Sequence, residues 1–429
     1  GLLMKRTLGI VLLIALFVTV FALSGTAQTI NLRVAWGGNQ TRHDMTIQVM
    51  EMFEKKNPGI KLSPEYTSFA GYWDRMAAQA AGSNLADIMQ QDYKYITQYV
   101  DSGLLIALDR YIGKGLDFSD VADSFLAPGR VYGQLYGINL GANTYAFAFD
   151  ADLFERTGVK APTPDWTWED YIATLRELKK KTGLYGDHEF TLCTNNVSGL
   201  EHYVRQHGQA FYNAAGTALG FDEKLFAEFY KMDLQMTNEG VCAPPEVRLE
   251  VTSIENNPMV MKKANMASLW SNQIVAYEKA AGRPLKMALW PKMKGQKKEG
   301  TYLKPSMFFS ITRDCRNIDA SLKFLNYFIN DIEANKVLNA ERGVPISAKV
   351  RNAMASELTG AAKEMFAIVD LASKHSSPID PPPPAAFQQV IDTLNDVHFK
   401  ILYKVLTPEQ GAKEFFQRAN KILADAAKK

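Results

Sequence analysis

A mixed α/β fold in two domains is predicted for this chain, and three observations carry the prediction. Apolar runs alternate with helical patterns from Leu32 to Asp92 in the order strand, helix, strand, helix, strand, the rhythm of a parallel sheet. The mixture returns after VYGQLYGINLGANTYAFAFDADLF, Val131 to Phe154. About 400 residues follow an export-like leader, more than one hydrophobic core usually holds.

The leader is residues 1–27. Met4-Lys5-Arg6, an apolar run from Leu8 to Leu23 and small residues up to Ala27 have the layout of a secretory signal. Cleavage there, with an exported product, is the expectation. An uncleaved anchor is the alternative, because an apolar run of about 16 residues falls short of the roughly 20 that span a bilayer. No cysteine follows at the position of a bacterial lipid anchor.

The strand Leu32, Val34, Trp36 stops at Gly37-Gly38, and a helix follows from about Thr41 to Lys56, with Met45, Val49, Met50 and Phe53 on one face. Asn57-Pro58-Gly59 ends it. Ile60 to Tyr66 reads as a strand, Tyr72 to Ala81 as a helix, and LADIMQQD as a buried strand ending in polar residues. Alternating Tyr145, Phe147 and Phe149 suit a strand passing between domains. Thr167 with Asp170 caps a helix from Trp168 to Lys181, and a long amphipathic helix ends at Gly240. Strands follow at Met266–Trp270, Leu285–Pro291 and SMFFSIT, with a helix over Ala320–Phe328. KMKGQKKEG between them reads as a solvated loop. Residues 361–429 are mainly helical, interrupted by Pro381–Pro384.

Composition excludes several classes. The chain has 48 Lys+Arg and 46 Asp+Glu, and the leader removes Lys5 and Arg6, so the remainder is balanced, which argues against nucleic acid as partner. Three cysteines, Cys193, Cys242 and Cys315, are too few for a disulfide framework. A Cys193–Cys242 pair and buried free thiols both remain open. Six scattered histidines lack the H-E-x-x-H spacing of a metal helix, so surface positions and no metal are expected. There is no G-x-S-x-G elbow and no P-loop, so neither a catalytic residue nor a cofactor is assigned. A secreted polysaccharide-degrading enzyme with paired carboxylates is the competing class. Asp87, Asp92 and Asp150 have no context that makes them a pair.

Five blocks in order, FEKKNPGIKL, YGQLYGINLGANTYAFAFDADLFERTG, WTWEDY, MKKANMASLW and ERGVPIS, resemble the extracellular solute-binding proteins of bacterial sugar ABC importers, the maltose-binding-like family. The resemblance implies a two-lobed periplasmic-binding-protein fold of type II, with ligand between lobes joined by three crossings. It places lobe 1 at residues 28–145 plus 302–340 and lobe 2 at 146–298 plus 344–429. The hinge falls near 144–147, 299–301 and 341–343. It also implies a monomer that delivers its ligand to the permease subunits of an ABC importer. Where the family often has proline after the second aromatic-glycine turn, this chain has GINLGAN, with Gly141 close to the hinge.

Ligands of open α/β sheets lie outside the carboxyl ends of the strands. That rule selects Trp36, Asn39, Gln40 and Arg42, then Tyr72, then Gln91 and Asp92, with Asn143 at the crossing. Lys304, Ser306 and Met307 follow from the return into the first domain, and Asn195, Asn196, Trp270, Asn272 and Gln273 from the second, with Phe387 and Gln388 after the proline run. Aromatic faces suit the C–H faces of a sugar ring, and planar amides and carboxylates suit its hydroxyl rim. Arg42 and Lys304 add a guanidinium and an ammonium that suit a uronate carboxylate. Arg42 sits in the first turn of a helix read as capped by Thr41, where the positive end favours an anion. With GGNQTRHD and KPSMFFSI resembling the oligogalacturonide-binding branch, an acidic pectin-derived oligosaccharide is the specific expectation. A neutral oligosaccharide is the alternative.

Overall fold

The computed structural model describes residues 29–428 apart from Leu192 and Asn195. The leader 1–27 and the candidate Asn195 therefore lie outside the described residues.

Two sheets organise the chain. In the first, the strand order is Ile60–Thr67, Ile30–Gly37, Ile88–Gln91, Phe308–Ile311 and Ile138–Asn139. The three N-terminal strands are parallel, as the helical crossovers between them require. Phe308–Ile311 then enters antiparallel to both its neighbours. Leu32, Val34 and Trp36 pack with Val49, Met50 and Phe53 of the helix Gln40–Lys56, each 3% exposed or less. That helix is capped by Asn39, whose side chain accepts from the Arg42 backbone N–H, and not by Thr41. Asn39 has the extended backbone of a cap residue, with φ −92° and ψ 174°, while Thr41 is already helical.

In the second sheet the order is Lys286–Ala288, Tyr145–Phe149, Ala264–Trp270 and Tyr185–Asp187. Only the last pair is parallel. The expected strand Leu285–Pro291 is shortened to three residues. The helix Trp168–Thr182 starts with a full Thr167/Asp170 capping box, ends at Gly183 with φ +74°, and buries Tyr171, Leu175 and Leu178. It packs in a core of aromatic rings: Phe147, Trp166, Tyr171, Phe190 and Phe229 lie in successive contact.

Between the sheets the chain crosses at one narrow place. Ala142–Asn143 pairs with Lys304–Pro305, and Ala142 also bridges Val344 through two backbone hydrogen bonds of 2.9 and 3.1 Å. A Cβ on Gly141 would stand 2.1 Å from the Arg342 carbonyl oxygen, so the first and third crossings can lie this close only with glycine here. The helix Gly360–Lys374 packs on Ile274–Ala281 and Lys286–Ala288 of the second sheet's side. All three cysteines are free thiols in the core, so Cys193 and Cys242 are not paired.

Candidate functional site

A cavity of about 470 Å³ opens beside the crossings, within the size range of small-molecule sites. Its walls come from both sheets' surroundings: Tyr93 follows the strand Ile88–Gln91, Lys304 belongs to the crossing ribbon, and Trp270 ends a strand of the second sheet. The floor is the start of the helix Ser198–Gln206, and one side is the extended segment Ile379–Pro383 leading into the helix Phe387–Leu402.

Tyr145 and Trp270 are register partners on adjacent antiparallel strands, and their rings stack with centroids 3.5 Å apart. Trp290 continues the stack at 5.4 Å from Tyr145. The Lys304 ammonium lies 4.9 Å from the Trp270 ring centroid, a cation–π contact. Burial pushes the Tyr145 phenol up to about 12, so it meets a ligand as a neutral hydroxyl. Asn196 and Ser198 are tied together, the Ser198 hydroxyl donating to Asn196 Oδ1 at 2.5 Å.

Beneath the floor lies Arg205, with none of its side chain exposed. Its Nε donates to the Gly300 carbonyl at 2.8 Å, Nη1 to Asp380 Oδ1 at 2.5 Å, and Nη2 to Ser377 Oγ at 2.7 Å and the Pro378 carbonyl at 2.9 Å. One guanidinium thus fastens the second crossing to the segment lining the cavity. From the first sheet, the Tyr93 hydroxyl donates to the Asp380 carbonyl at 2.7 Å, so the two sides of the cleft touch there. Glu201, one helical turn before Arg205, lines the cavity and accepts from the Tyr302 hydroxyl at 3.1 Å. Burial pushes its carboxyl up to about 7, against the opposing pull of Arg205.

Of the residues selected from sequence, the cavity brings together Asn196, Trp270, Lys304, Phe387 and Gln388. The others have different surroundings. Trp36 is fully buried, its indole N–H donating to His43 Nδ1 at 3.0 Å, and Tyr72 is equally buried, its hydroxyl donating to the Gln90 carbonyl at 2.9 Å. They fill two different clusters of the first sheet's surroundings, Trp36 with Val49 and Phe53 and Tyr72 with Met76 and Met89, and the polar atom of each finds its partner there. Asn39 caps its helix, and Gln40 bonds Asp44 one turn on. Arg42 faces Glu341 of the third crossing, with Nε 2.9 and 3.1 Å from the two carboxylate oxygens. Gln91 is buried beside Met89, and Asp92 accepts from the Lys94 N–H as a turn residue. Asn143 and Ser306 belong to the crossing, with Ser306 N donating to the Gly141 carbonyl, and Asn272 is exposed outside the cavity wall. Sequence reasoning missed Tyr93, Glu201, Tyr302 and Asp380. The one local signal was the i,i+4 spacing of Glu201 and Arg205 on the helix Ser198–Gln206.

Surface positions for the histidines do not hold: His43, His188, His202 and His398 are buried. Three of them meet hydrogen-bonding groups through a ring nitrogen: Trp36 for His43, the Pro291 carbonyl for His202 and Asp233 for His398. Among the described residues Cys193, Asp233 and His398 bring potential metal ligands within 4.8 Å. Both Asp233 oxygens, however, accept from Arg248 at 2.8 and 3.0 Å. That fixed positive charge makes a poor neighbour for a cation.

Comparison with known proteins agrees with this architecture. Residues 48–367 match the family model described as bacterial extracellular solute-binding protein. A solved family 1 extracellular solute-binding protein from Alicyclobacillus acidocaldarius is 31% identical, with a TM-score of 0.87, covering 92% of this chain and 99% of that one. A periplasmic oligogalacturonide binding protein from Yersinia enterocolitica shares the fold at 23% identity and a TM-score of 0.76, covering 92% of this chain and all of that one. A binding protein of Brucella abortus (strain 2308) is 24% identical over 200 residues, 46% of this chain and 47% of that protein. The chain thus spans about half the length of the curated relatives it matches. With most of its described length inside the family model and this two-lobed fold, the chain belongs to the bacterial extracellular solute-binding proteins.

Proposed function

We propose that this protein captures an oligosaccharide in the cavity beside its crossings and delivers it to the permease subunits of an ABC importer, acting outside the cytoplasmic membrane as a binder and not as an enzyme. The lobes are 28–145 plus 302–340 and 146–298 plus 344–429, and they close about the three crossings. Among the described residues no helix is long and apolar enough to cross a membrane.

The observation that carries this reading is the stacked Tyr145–Trp270 pair under the Lys304 ammonium. An aromatic platform takes the C–H face of a sugar ring, while Asn196, Ser198 and the Tyr145 hydroxyl offer partners to its rim. Lys304 supports the finer assignment to an acidic, pectin-derived oligogalacturonide. Among the described cavity cations it has no carboxylate partner, whereas Arg205 is committed to Asp380, so a uronate would supply its counter-ion. Arg42, neutralised by Glu341, has no part in that recognition. A neutral oligosaccharide is the second reading, favoured by the carboxyl groups of Glu201 and Asp380 in the same wall.

Calorimetric titration with digalacturonate and with maltotriose tests both. Digalacturonate is expected to bind, and Lys304→Met to weaken it at least tenfold. Binding of maltotriose alone would select the neutral reading, and binding of neither would remove the saccharide assignment.

A further inference from the structure

Glu201 is the one carboxyl group of the described cavity wall without a cationic hydrogen-bond partner. Its surroundings explain why. Arg205, on the same helix, spends its donors on Gly300, Ser377, Pro378 and Asp380. Asp380 is approached by Lys298 as well, at 3.3 Å, so that carboxylate is neutralised twice. Lys304 sits over Trp270. The remaining titratable groups around Glu201 are the phenols of Tyr93, Tyr145, Tyr212 and Tyr302, neutral and shifted upward chiefly by burial. Tyr302 donates to Oε2 and leans against Arg205, whose guanidinium carbon is 5.0 Å from the phenol ring centroid. A proton on this carboxyl group therefore belongs on Oε1.

We propose that Glu201 determines the charge of the ligand the cavity accepts: it meets a uronate as a protonated carboxyl group and donates through Oε1 to the ligand's carboxylate. The inference rests on the acidic-oligosaccharide reading above. A second negative charge brought beside Glu201 favours its neutral form, and an O–H···O⁻ bond between two carboxyl groups is among the short, strong ones. The balance is simple. One proton leaves the buffer for Glu201, the ligand keeps its negative charge, and that charge pairs with Lys304. A neutral sugar brings no charge and draws no proton. Because the free carboxyl group titrates near 7, the uptake is visible above that pH and absent well below it.

The test is calorimetry of the full chain at pH 8 and pH 5.5 in phosphate and in Tris, whose ionisation heats differ. With digalacturonate at pH 8, uptake of about one proton is expected, with affinity falling about tenfold per pH unit above the midpoint. With maltotriose no uptake is expected. Glu201→Gln, which still carries a donor, is expected to bind digalacturonate with no proton uptake and no pH dependence. Tyr302→Phe removes the hydrogen bond that favours the charged form and moves the midpoint upward. Digalacturonate binding without proton uptake, or uptake unchanged in Glu201→Gln, overturns the role of Glu201 alone. No digalacturonate binding at either pH overturns the acidic-ligand reading, and this inference with it.

Discussion

Arg248 and Asp233 form an ion pair at the centre of the second core, each 2% exposed or less. Five hydrogen bonds leave the Arg248 guanidinium: two to Asp233, one to Thr237 Oγ1 at 2.7 Å, one to the Ala243 carbonyl at 2.9 Å and a long one to Cys193 Sγ at 3.7 Å. Arg248→Met keeps much of the volume and removes all five. It leaves the Asp233 carboxylate buried with His398 Nε2 at 2.6 Å as its remaining close partner. Breaking a buried pair from one side costs about 3–5 kcal/mol, and that is the expected loss at pH 7. The pH dependence gives a second handle. In the native protein, burial pushes the Asp233 carboxyl up, but Arg248 and His398 outweigh it and hold the group well below the usual carboxylate range. Its contribution is therefore complete above the unfolded value near 4 and is lost only as pH falls toward the folded value. Without Arg248 the folded value rises above the unfolded one, so the variant loses stability as pH rises. The gap between the two proteins should widen from pH 5 to pH 8, by up to about 1.4 kcal/mol per unit. Urea unfolding followed by tryptophan fluorescence reads this directly, since Trp166 and Trp168 lie in the same core. The double variant Asp233→Asn/Arg248→Met should recover part of the loss. A single-variant cost below about 1 kcal/mol, or a gap that does not change with pH, would refute the argument.

Two further outcomes follow from the same reasoning. Arg42→Ala should leave the affinity for acidic and neutral saccharides within twofold of the parent while costing about 1 kcal/mol in urea unfolding, because the lost partner is the half-buried Glu341; selective loss of uronide binding would return Arg42 to the ligand. Burial pushes the Asp187 carboxyl up to about 8, so between the unfolded value near 4 and 8 the native protein holds a proton that the unfolded chain releases, and stability falls as pH rises. Asp187→Asn still accepts from the Tyr171 hydroxyl and removes that penalty, so it should raise the melting temperature at pH 8 and leave it unchanged at pH 4; equal shifts at both values would contradict the assignment.

The elements were legible where their causes are local. The Thr167/Asp170 box and the Asn57-Pro58-Gly59 stop act within a turn of the helices they bound, and the structure keeps both boundaries within a residue or two. Apolar spacing identified Val49, Met50 and Phe53 for the same reason. The antiparallel entry of Phe308–Ile311 was not legible, because its neighbours come from residues 88–91 and 138–139 and no local pattern records direction. The candidate site divides in the same way. Trp270, Lys304 and Phe387 stand at element ends, where polar or aromatic residues are conspicuous. Glu201 acquires its character from Tyr302, 101 positions away, and Asp380 from Arg205, 175 positions away.

Arg42 shows why position at a strand end selects too many residues. The rule that ligands gather beyond the carboxyl ends of strands is geometric, and in this fold the chain also crosses between lobes in that region. Ala142 touches both Pro305 and Val344, so three crossings compete with a ligand for the donors and acceptors around them. Arg42 is taken by Glu341 beside the third crossing, and Asn139 by the Phe125 carbonyl and the Gly141 N–H in the first. What is left for a ligand is the side of the cleft where the strand ends carry aromatic rings, since a ring whose edge packs in the core can still offer a face. Trp270 stands there at the cavity wall with Tyr145 stacked against it as its cross-strand partner, and their spacing is fixed by sheet register and not by loop conformation. The rigid part of the proposed recognition surface is therefore built on the second sheet. Tyr93 and the segment through Asp380 lie beside it, held by a hydrogen bond from the first sheet's side and by the buried Arg205 guanidinium and Lys298 from the second.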